Sequence, residues 1–342
     1  MGIAGLRPAS GQSAATGTPA LAVPASQPTG NPASGEEHPL KKLSFIPLWV
    51  PQAQFAGYYV AKEKGIYKKY GLDVTIINGG PQRQASDYLV NHRADIVMLW
   101  LAPAIEMRAN GVKLINIAQM SQRSALMLVA KKARGINTPQ DINGKKVGLW
   151  DPIFQIQPKA FLKKYNLDVT TVRQSYSVNL FLRDGVDVAS AMWYNEYHTI
   201  LNSGLNPNEL TTFFFYDHGL NFPEDGLYAL EETCNKDPES SAAFVAASIA
   251  GWRYAFDHPE EALDITMTNL EKDHIPATRI HQTWMLNRMK ELMTPRDAQT
   301  PMGELLPEDY YRVAAELKHI GMIKEIPDFH LFYRKSLGHD QK

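Results

Sequence analysis

The chain has 342 residues, 44% of them hydrophobic, which is enough for two lobes of ordinary size and too long for one small domain. Lys and Arg total 35 against 36 Asp and Glu, a net charge of -1, which excludes an affinity for nucleic acid built on a broad basic surface. The single cysteine, Cys234, excludes an intrachain disulfide and any cysteine-based zinc or iron–sulfur cage.

Residues 1–42 are mostly Ala, Pro, Ser, Thr, Gly and Gln, with Arg7 the only charge before Glu36. Such a segment buries too little apolar surface to offset its ordering entropy, and it reads as a disordered leader or tether. It shows no charged stretch followed by an apolar one, so no signal peptide is visible. Leu6 stands where a myristoylation signal wants Ser or Thr. No later stretch approaches the roughly 18 apolar residues of a membrane span.

From Leu43 the pattern changes to short apolar runs alternating with helical stretches. LSFIPLW reads as a buried strand, FAGYYVAKEKGIYKKY as a helix stopped by Gly71, and LDVTII as the next strand. A helix over 84–92, the strand ADIVMLW, the helix APAIEMRAN and the strand KLINIAQM follow. This alternation predicts an α/β fold with largely parallel pairing. Beyond about residue 237 the pattern is helical.

The chain also repeats itself. IYKKYGLDVTII (66–77) recurs as FLKKYNLDVTTV (161–172), each copy preceded by an apolar strand ending in Trp-x-Pro, at Trp49 and Trp150. A second strand-closing Trp recurs in each half: Trp100 stands five residues after Asp95, and Trp193 six after Asp187. Two α/β lobes follow: 43–128 as the first part of lobe 1, 129–228 as lobe 2, and 229–342 as a helical return to lobe 1.

Ligands of open parallel sheets bind outside the carboxyl ends of the strands, where these four indoles are placed. One Trp alone reads as ordinary core. Four at matched positions point to a cleft with flat apolar walls for a planar ligand. Gln52, Gln54, Asp151, Gln155, Asn195 and Glu196 stand beside them and could read the edge of a heterocycle, although Asp151 also reads as a helix cap. Asp217-His218-Gly219 and Glu224-Asp225-Gly226 fall where the chain returns to the first lobe, as a turn or as a cleft rim and hinge. No dinucleotide, Walker, nucleophile-elbow or His-Glu-x-x-His motif is present, and the ten His do not cluster in sequence.

WVPQAQFAGYYVAKEKGIYKKYGLDVTIINGG, DIVMLWLAPAIEMRANG, INTPQDINGKKVGLW and AMWYNEYHTIL together resemble the periplasmic solute-binding proteins of the sulfonate/nitrate/thiamine-pyrimidine group, over about 43–270. The resemblance implies a two-lobe, type II binding-protein fold, with mixed, mostly parallel sheets and a hinge. It implies a non-enzymatic, periplasmic monomer that delivers its ligand to an ABC permease and ATPase, without cofactor, metal or nucleic acid. The AMWYNEY stretch is most similar to the branch that binds pyrimidine precursors of thiamine. Riboflavin and sulfonate binders are the alternatives, with Arg123 a candidate anion contact. The implied ligand-binding set is Trp49, Gln52, Gln54, Tyr58, Trp100, Trp150, Asp151, Phe154, Gln155, Trp193, Tyr194, Glu196, Glu224 and Asp225. The same fold includes a pyrimidine synthase that uses a lysine-bound pyridoxal phosphate and its own histidine. Those positions align with Leu99 and Pro103, and its cysteine-rich iron loop with 220–228, which has no cysteine. Leu99 cannot form a Schiff base and Pro103 has no imidazole, so the resemblance favours a binder over that enzyme.

Overall fold

A computed structural model describes residues 39–335 apart from 296 and 298. The expected leader, 1–42, lies outside the described residues except for its last four, of which Lys41 and Lys42 open the first strand. Among the described residues ten strands form in chain order: β1 (Lys41–Ile46), β2 (Leu72–Ile76), β3 (Ile96–Leu99), β4 (Leu114–Gln119), β5 (Leu126–Lys131), β6 (Lys146–Leu149), β7 (Thr170–Arg173), β8 (Val188–Met192), β9 (Leu210–Phe214) and β10 (Gly226–Leu230). They make two sheets of matching order, β2-β1-β3-β10-β4 and β7-β6-β8-β5-β9. Within each, the first three strands run parallel; β10 and β5 lie antiparallel to both of their neighbours. The two sheets carry the two lobes of an α/β periplasmic-binding-protein fold.

The expected strands and helices occur close to their anticipated places, with one break. The first helix ends at Glu63 and a short one resumes at Ile66, because Gly65 takes a left-handed conformation at φ 65°. The chain crosses between lobes at 120–125 and again at 215–225, so the anticipated limits at 128 and 228 fall inside β5 and β10.

The return toward lobe 1 is helical. Pro238 and Pro259 open two long helices, Pro238–Asp257 and Pro259–Lys272, each at a position where a missing N–H costs nothing. Pro238–Asp257 lies against the helix Ala56–Glu63 with glycines facing: a Cβ on Gly251 would stand 2.3 Å from the carbonyl oxygen of Gly57. This close approach seats fully buried Trp252 edge-on to Tyr58, centroids 5.7 Å apart.

Contacts at the crossings and beside them join the lobes. At the crossings, Glu224 Oε1 accepts from Ser124 Oγ at 2.8 Å and from the backbone N–H groups of Ala125 and Leu126, both at 2.9 Å. Asn221 Oδ1 accepts from Ser124 N, and the Asp225 carbonyl accepts from Met120 N and Ser121 N. Away from the crossings, helix Arg279–Met293 packs on the lobe 1 turn Ala53–Phe55 and reaches lobe 2: Trp284 Nε1 donates to the Trp193 carbonyl at 3.0 Å. His281 Nδ1 faces His198 Nδ1 at 2.9 Å, and the His198 ring stacks on Trp284.

Burial, opposed by the three donors and assisted by the neighbouring Asp225 carboxyl, pushes Glu224 up to about 8 from 4.5. A carboxyl raised by folding stabilises the fold fully below its unfolded value, and that contribution is lost as pH rises through the folded value. Melting temperature is expected to fall between about pH 5 and pH 9, and Glu224→Gln, which keeps the accepting oxygen but cannot ionise, to flatten that fall. Calorimetry across that range checks it; an identical slope in both proteins would contradict it. Gly251→Ala is expected to destabilise by about 1–3 kcal/mol, opposite in sign to the usual gain from Ala in a helix, and denaturant unfolding measures it.

Candidate functional site

The carboxyl ends of β1, β3 and β6 converge on a cleft that is partly open to solvent. Trp49 and Trp100 enter it from lobe 1; Trp150 and Phe154 enter from lobe 2. Phe154 sits on the short turn Pro152–Phe154 and meets all three indoles edge-on: Trp100 at 4.8 Å, Trp150 at 6.2 Å and Trp49 at 6.5 Å between centroids. Trp150 Nε1 is buried with no hydrogen-bond partner among the described residues, so it is a donor that a ligand could satisfy.

One wall is polar. Gln52 Nε2 donates to Gln54 Oε1 at 2.5 Å, and Gln54 Nε2 donates to Asp225 Oδ2 at 2.7 Å. With one N–H given to Gln54, Gln52 keeps its carbonyl oxygen and a second N–H for the cleft. Glu196, at the start of helix Glu196–Asn202, lines the opposite side; Met192 N donates to its Oε2, and Asn195 Nδ2 to its Oε1. Burial pushes Glu196 up to about 7, with those two donors opposing, and pushes Asp225 up to about 6, with Gln54 opposing. The Tyr194 hydroxyl, among the Asp225, Glu224 and Glu196 carboxyls, is held well above its ordinary value, chiefly by burial. The cleft thus joins ring walls to hydrogen-bonding groups that change charge close to neutrality.

Trp49, Gln52, Gln54, Trp100, Trp150, Phe154, Tyr194 and Glu196 are therefore brought together, and six expected residues are not. Tyr58 lies fully buried in the lobe 1 core between Phe45 and Trp252. Trp193 falls between cleft-lining Met192 and Tyr194 but is turned onto Phe214 and the Arg288 guanidinium. The cause is spacing: Met192, not Trp193, stands five residues after its Asp, as Trp100 does, and one residue changes the face of an extended chain. Asp151 accepts from Tyr176 Oη at 2.5 Å and pairs with Arg173 at 2.9 Å, so it holds Tyr176 over Trp49, 4.6 Å between centroids. Gln155 donates to the Trp150 carbonyl. Glu224 and Asp225 belong to the crossing, and Asp225 meets the cleft through Gln54.

Leu48, Tyr176, Met192 and Asn195 also line the cleft. Asn195 stood in the quoted AMWYNEY stretch; Tyr176 stands in no repeated motif, and its bond to Asp151 is a contact of the fold. Arg123 lies outside: it donates to the Glu291 carbonyl and faces the Tyr216 ring. Among the described residues no Lys or Arg lines the cleft.

Comparison with known proteins agrees with this geometry. The chain is 23% identical to the riboflavin-binding protein RibY of Chloroflexus aurantiacus, over 74% of this chain and 73% of that one. It is 22% identical to a formylaminopyrimidine-binding protein of Halalkalibacterium halodurans, over 77% and 81%. The fold matches the periplasmic aliphatic sulphonate binding protein SsuA of Escherichia coli with a TM-score of 0.69 at 14% identity, covering 88% and 94%. Residues 52–262, which include both crossings and every cleft-lining residue except Leu48 and Trp49, match the family described as NMT1/THI5 like. With its two sheets, its paired crossings and its aromatic cleft, the chain belongs to that NMT1/THI5-like family.

Proposed function

We propose that this protein is the solute-binding component of an ABC importer and takes up a planar nitrogen heterocycle, with a pyrimidine precursor of thiamine as the first choice. The observation that carries the reading is the cleft itself: three indoles and three further rings (Phe154, Tyr176 and Tyr194) beside a Gln52–Gln54–Asp225 chain and Glu196. Rings supply stacking, worth about 0.5–1.5 kcal/mol per aromatic pair beyond burial, and the amide and carboxyl oxygens accept from ring amino groups. The relative that binds formylaminopyrimidine supports this choice. A flavin is the second reading, favoured by the relative named for riboflavin. A sulfonate fits less well, because no cation lines the cleft.

Binding closes the lobes when the ligand favours the closed form differentially, and the closed form docks on the permease. Leu99 ends β3 inside the core and Pro103 lies buried in helix Leu101–Ala109, which supports binding in place of pyridoxal-phosphate chemistry. An extracytoplasmic monomer is the corresponding setting. Among the described residues no helix is long and apolar enough to cross a membrane.

Titration with 4-amino-5-hydroxymethyl-2-methylpyrimidine or riboflavin is expected to quench tryptophan fluorescence. Trp49→Ala is expected to weaken binding at least about tenfold, and Trp193→Ala to leave it within about twofold. Tight binding of an alkanesulfonate with no response to either heterocycle would contradict the ligand class. Incubation with pyridoxal phosphate and iron is expected to yield no pyrimidine product; a product detected by mass spectrometry would refute the binder reading.

A further inference from the structure

Beside the cleft, two imidazoles carried by different elements face each other. His198 lies on helix Glu196–Asn202 of lobe 2. His281 lies on helix Arg279–Met293, which packs on the lobe 1 turn Ala53–Phe55. Their Nδ1 atoms stand 2.9 Å apart across 83 residues of chain. The His198 ring lies on Trp284, centroids 4.7 Å apart and planes inclined at 13°, and Trp284 is itself tied to the Trp193 carbonyl.

Asn195 decides where the His281 hydrogen sits. Its Nδ2 donates to Glu196 Oε1 at 2.9 Å, so its Oδ1 is the atom that meets His281 Nε2, also at 2.9 Å. An oxygen there accepts, so neutral His281 carries its hydrogen on Nε2 and a lone pair on Nδ1, aimed at His198. Among the described residues His198 Nε2 makes no hydrogen bond, so that ring can hold its own hydrogen at Nε2 and present a second lone pair at Nδ1. Two such lone pairs, one of them oriented by an outer amide oxygen, are the arrangement of imidazoles that ligate a metal. The Asn202 amide stands on the same helix face, its Nδ2 3.2 Å from His198 Nδ1, and a half-turn presents its oxygen instead.

We infer that His198 and His281 form a site for one divalent transition-metal ion that bridges the two lobes. Metal–imidazole bonds of about 2.0–2.1 Å at a tetrahedral centre place the two nitrogens about 3.3 Å apart, a small opening of the present pair. Among the described residues no group of three His, Cys, Asp or Glu side chains is gathered, so water and the Asn202 oxygen complete the shell. Neutral nitrogen ligands without thiolate or carboxylate suit Zn²⁺, Ni²⁺ and Cu²⁺, not Mg²⁺ or Ca²⁺. On binding, the ion sheds water and the His198 hydrogen moves from Nδ1 to Nε2. The bridge adds a bond between elements of the two lobes, so the metal slows release of the cleft's ligand. That consequence, unlike the site, rests on the proposed function.

Calorimetry with zinc chloride on the full chain is expected to show a site that His198→Gln and His281→Gln each weaken at least about tenfold. Asn195→Ala, which frees the His281 ring, is expected to weaken it by about tenfold. Zinc-edge X-ray absorption of the wild type is expected to show two imidazoles in the shell, and it decides the matter if melting shows a variant unfolded. An oxygen-only shell, or an isotherm unchanged in both His variants, overturns the site. Zinc is also expected to slow riboflavin or pyrimidine release in the wild type and not in His281→Gln; release unchanged by bound zinc overturns the bridge between the lobes. Binding of neither heterocycle removes the functional reading, while the isotherms and the absorption spectrum still decide the metal site.

Discussion

The structure depends on one carboxyl. Glu224 stands on the returning crossing and gathers three donors from the outgoing one onto a single oxygen. Without such an acceptor, the N–H of Ala125 would stand buried and unpaired at the entry to β5, at a cost of about 1–3 kcal/mol, and that of Leu126 would keep only the Ser124 hydroxyl at 3.2 Å. The bond also sets geometry. β5 and β10 follow the two crossings directly and each takes the fourth place in its sheet, antiparallel to both neighbours. The relative position of the sheets, and so of the strand ends that carry Trp49, Trp100 and Trp150, passes through this junction. Asp225, the next residue, anchors the Gln54–Gln52 chain, so the hinge and the polar wall are adjacent residues of one strand entry.

Much of this architecture was legible in the sequence. The apolar runs marked the strands, and the recurrence of KKY-x-LDVT marked two lobes of one plan. The repeat did not reveal the membership of β5 and β10, because each is a single strand contributed to its sheet across a crossing, outside the copied unit. Three of the four strand-end indoles reached the cleft. Trp193 did not, and the warning was present as a spacing of six where its counterpart has five. Tyr176 carried no such sign, since Asp151 places it across 25 residues of chain.

The near-neutral composition takes on a definite form in the cleft. Its charge-bearing groups are buried carboxyls raised by loss of water, and no cation opposes them. The walls therefore select by shape and by hydrogen-bond direction. A group such as Glu196, poised at about 7, can accept from a ligand when ionised and donate when protonated. The aromatic rings supply area without adding charge, and the edge-on packing of Phe154 against three indoles shows how densely that area is already filled.

The facing histidines add a boundary of another kind. Two ring nitrogens 2.9 Å apart share one proton; a second would set two N–H groups head to head. Burial holds both His198 and His281 below their ordinary value, which favours the uncharged pair. Asn195, a lining residue of the cleft, hydrogen-bonds His281, so this clasp is wired to the site itself. Alkali charges the carboxyl that fixes the crossings, and acid charges the imidazoles that fasten the lobes beside the cleft. The contacts that join the two lobes thus include one weakened by loss of a proton and one weakened by gain of a proton.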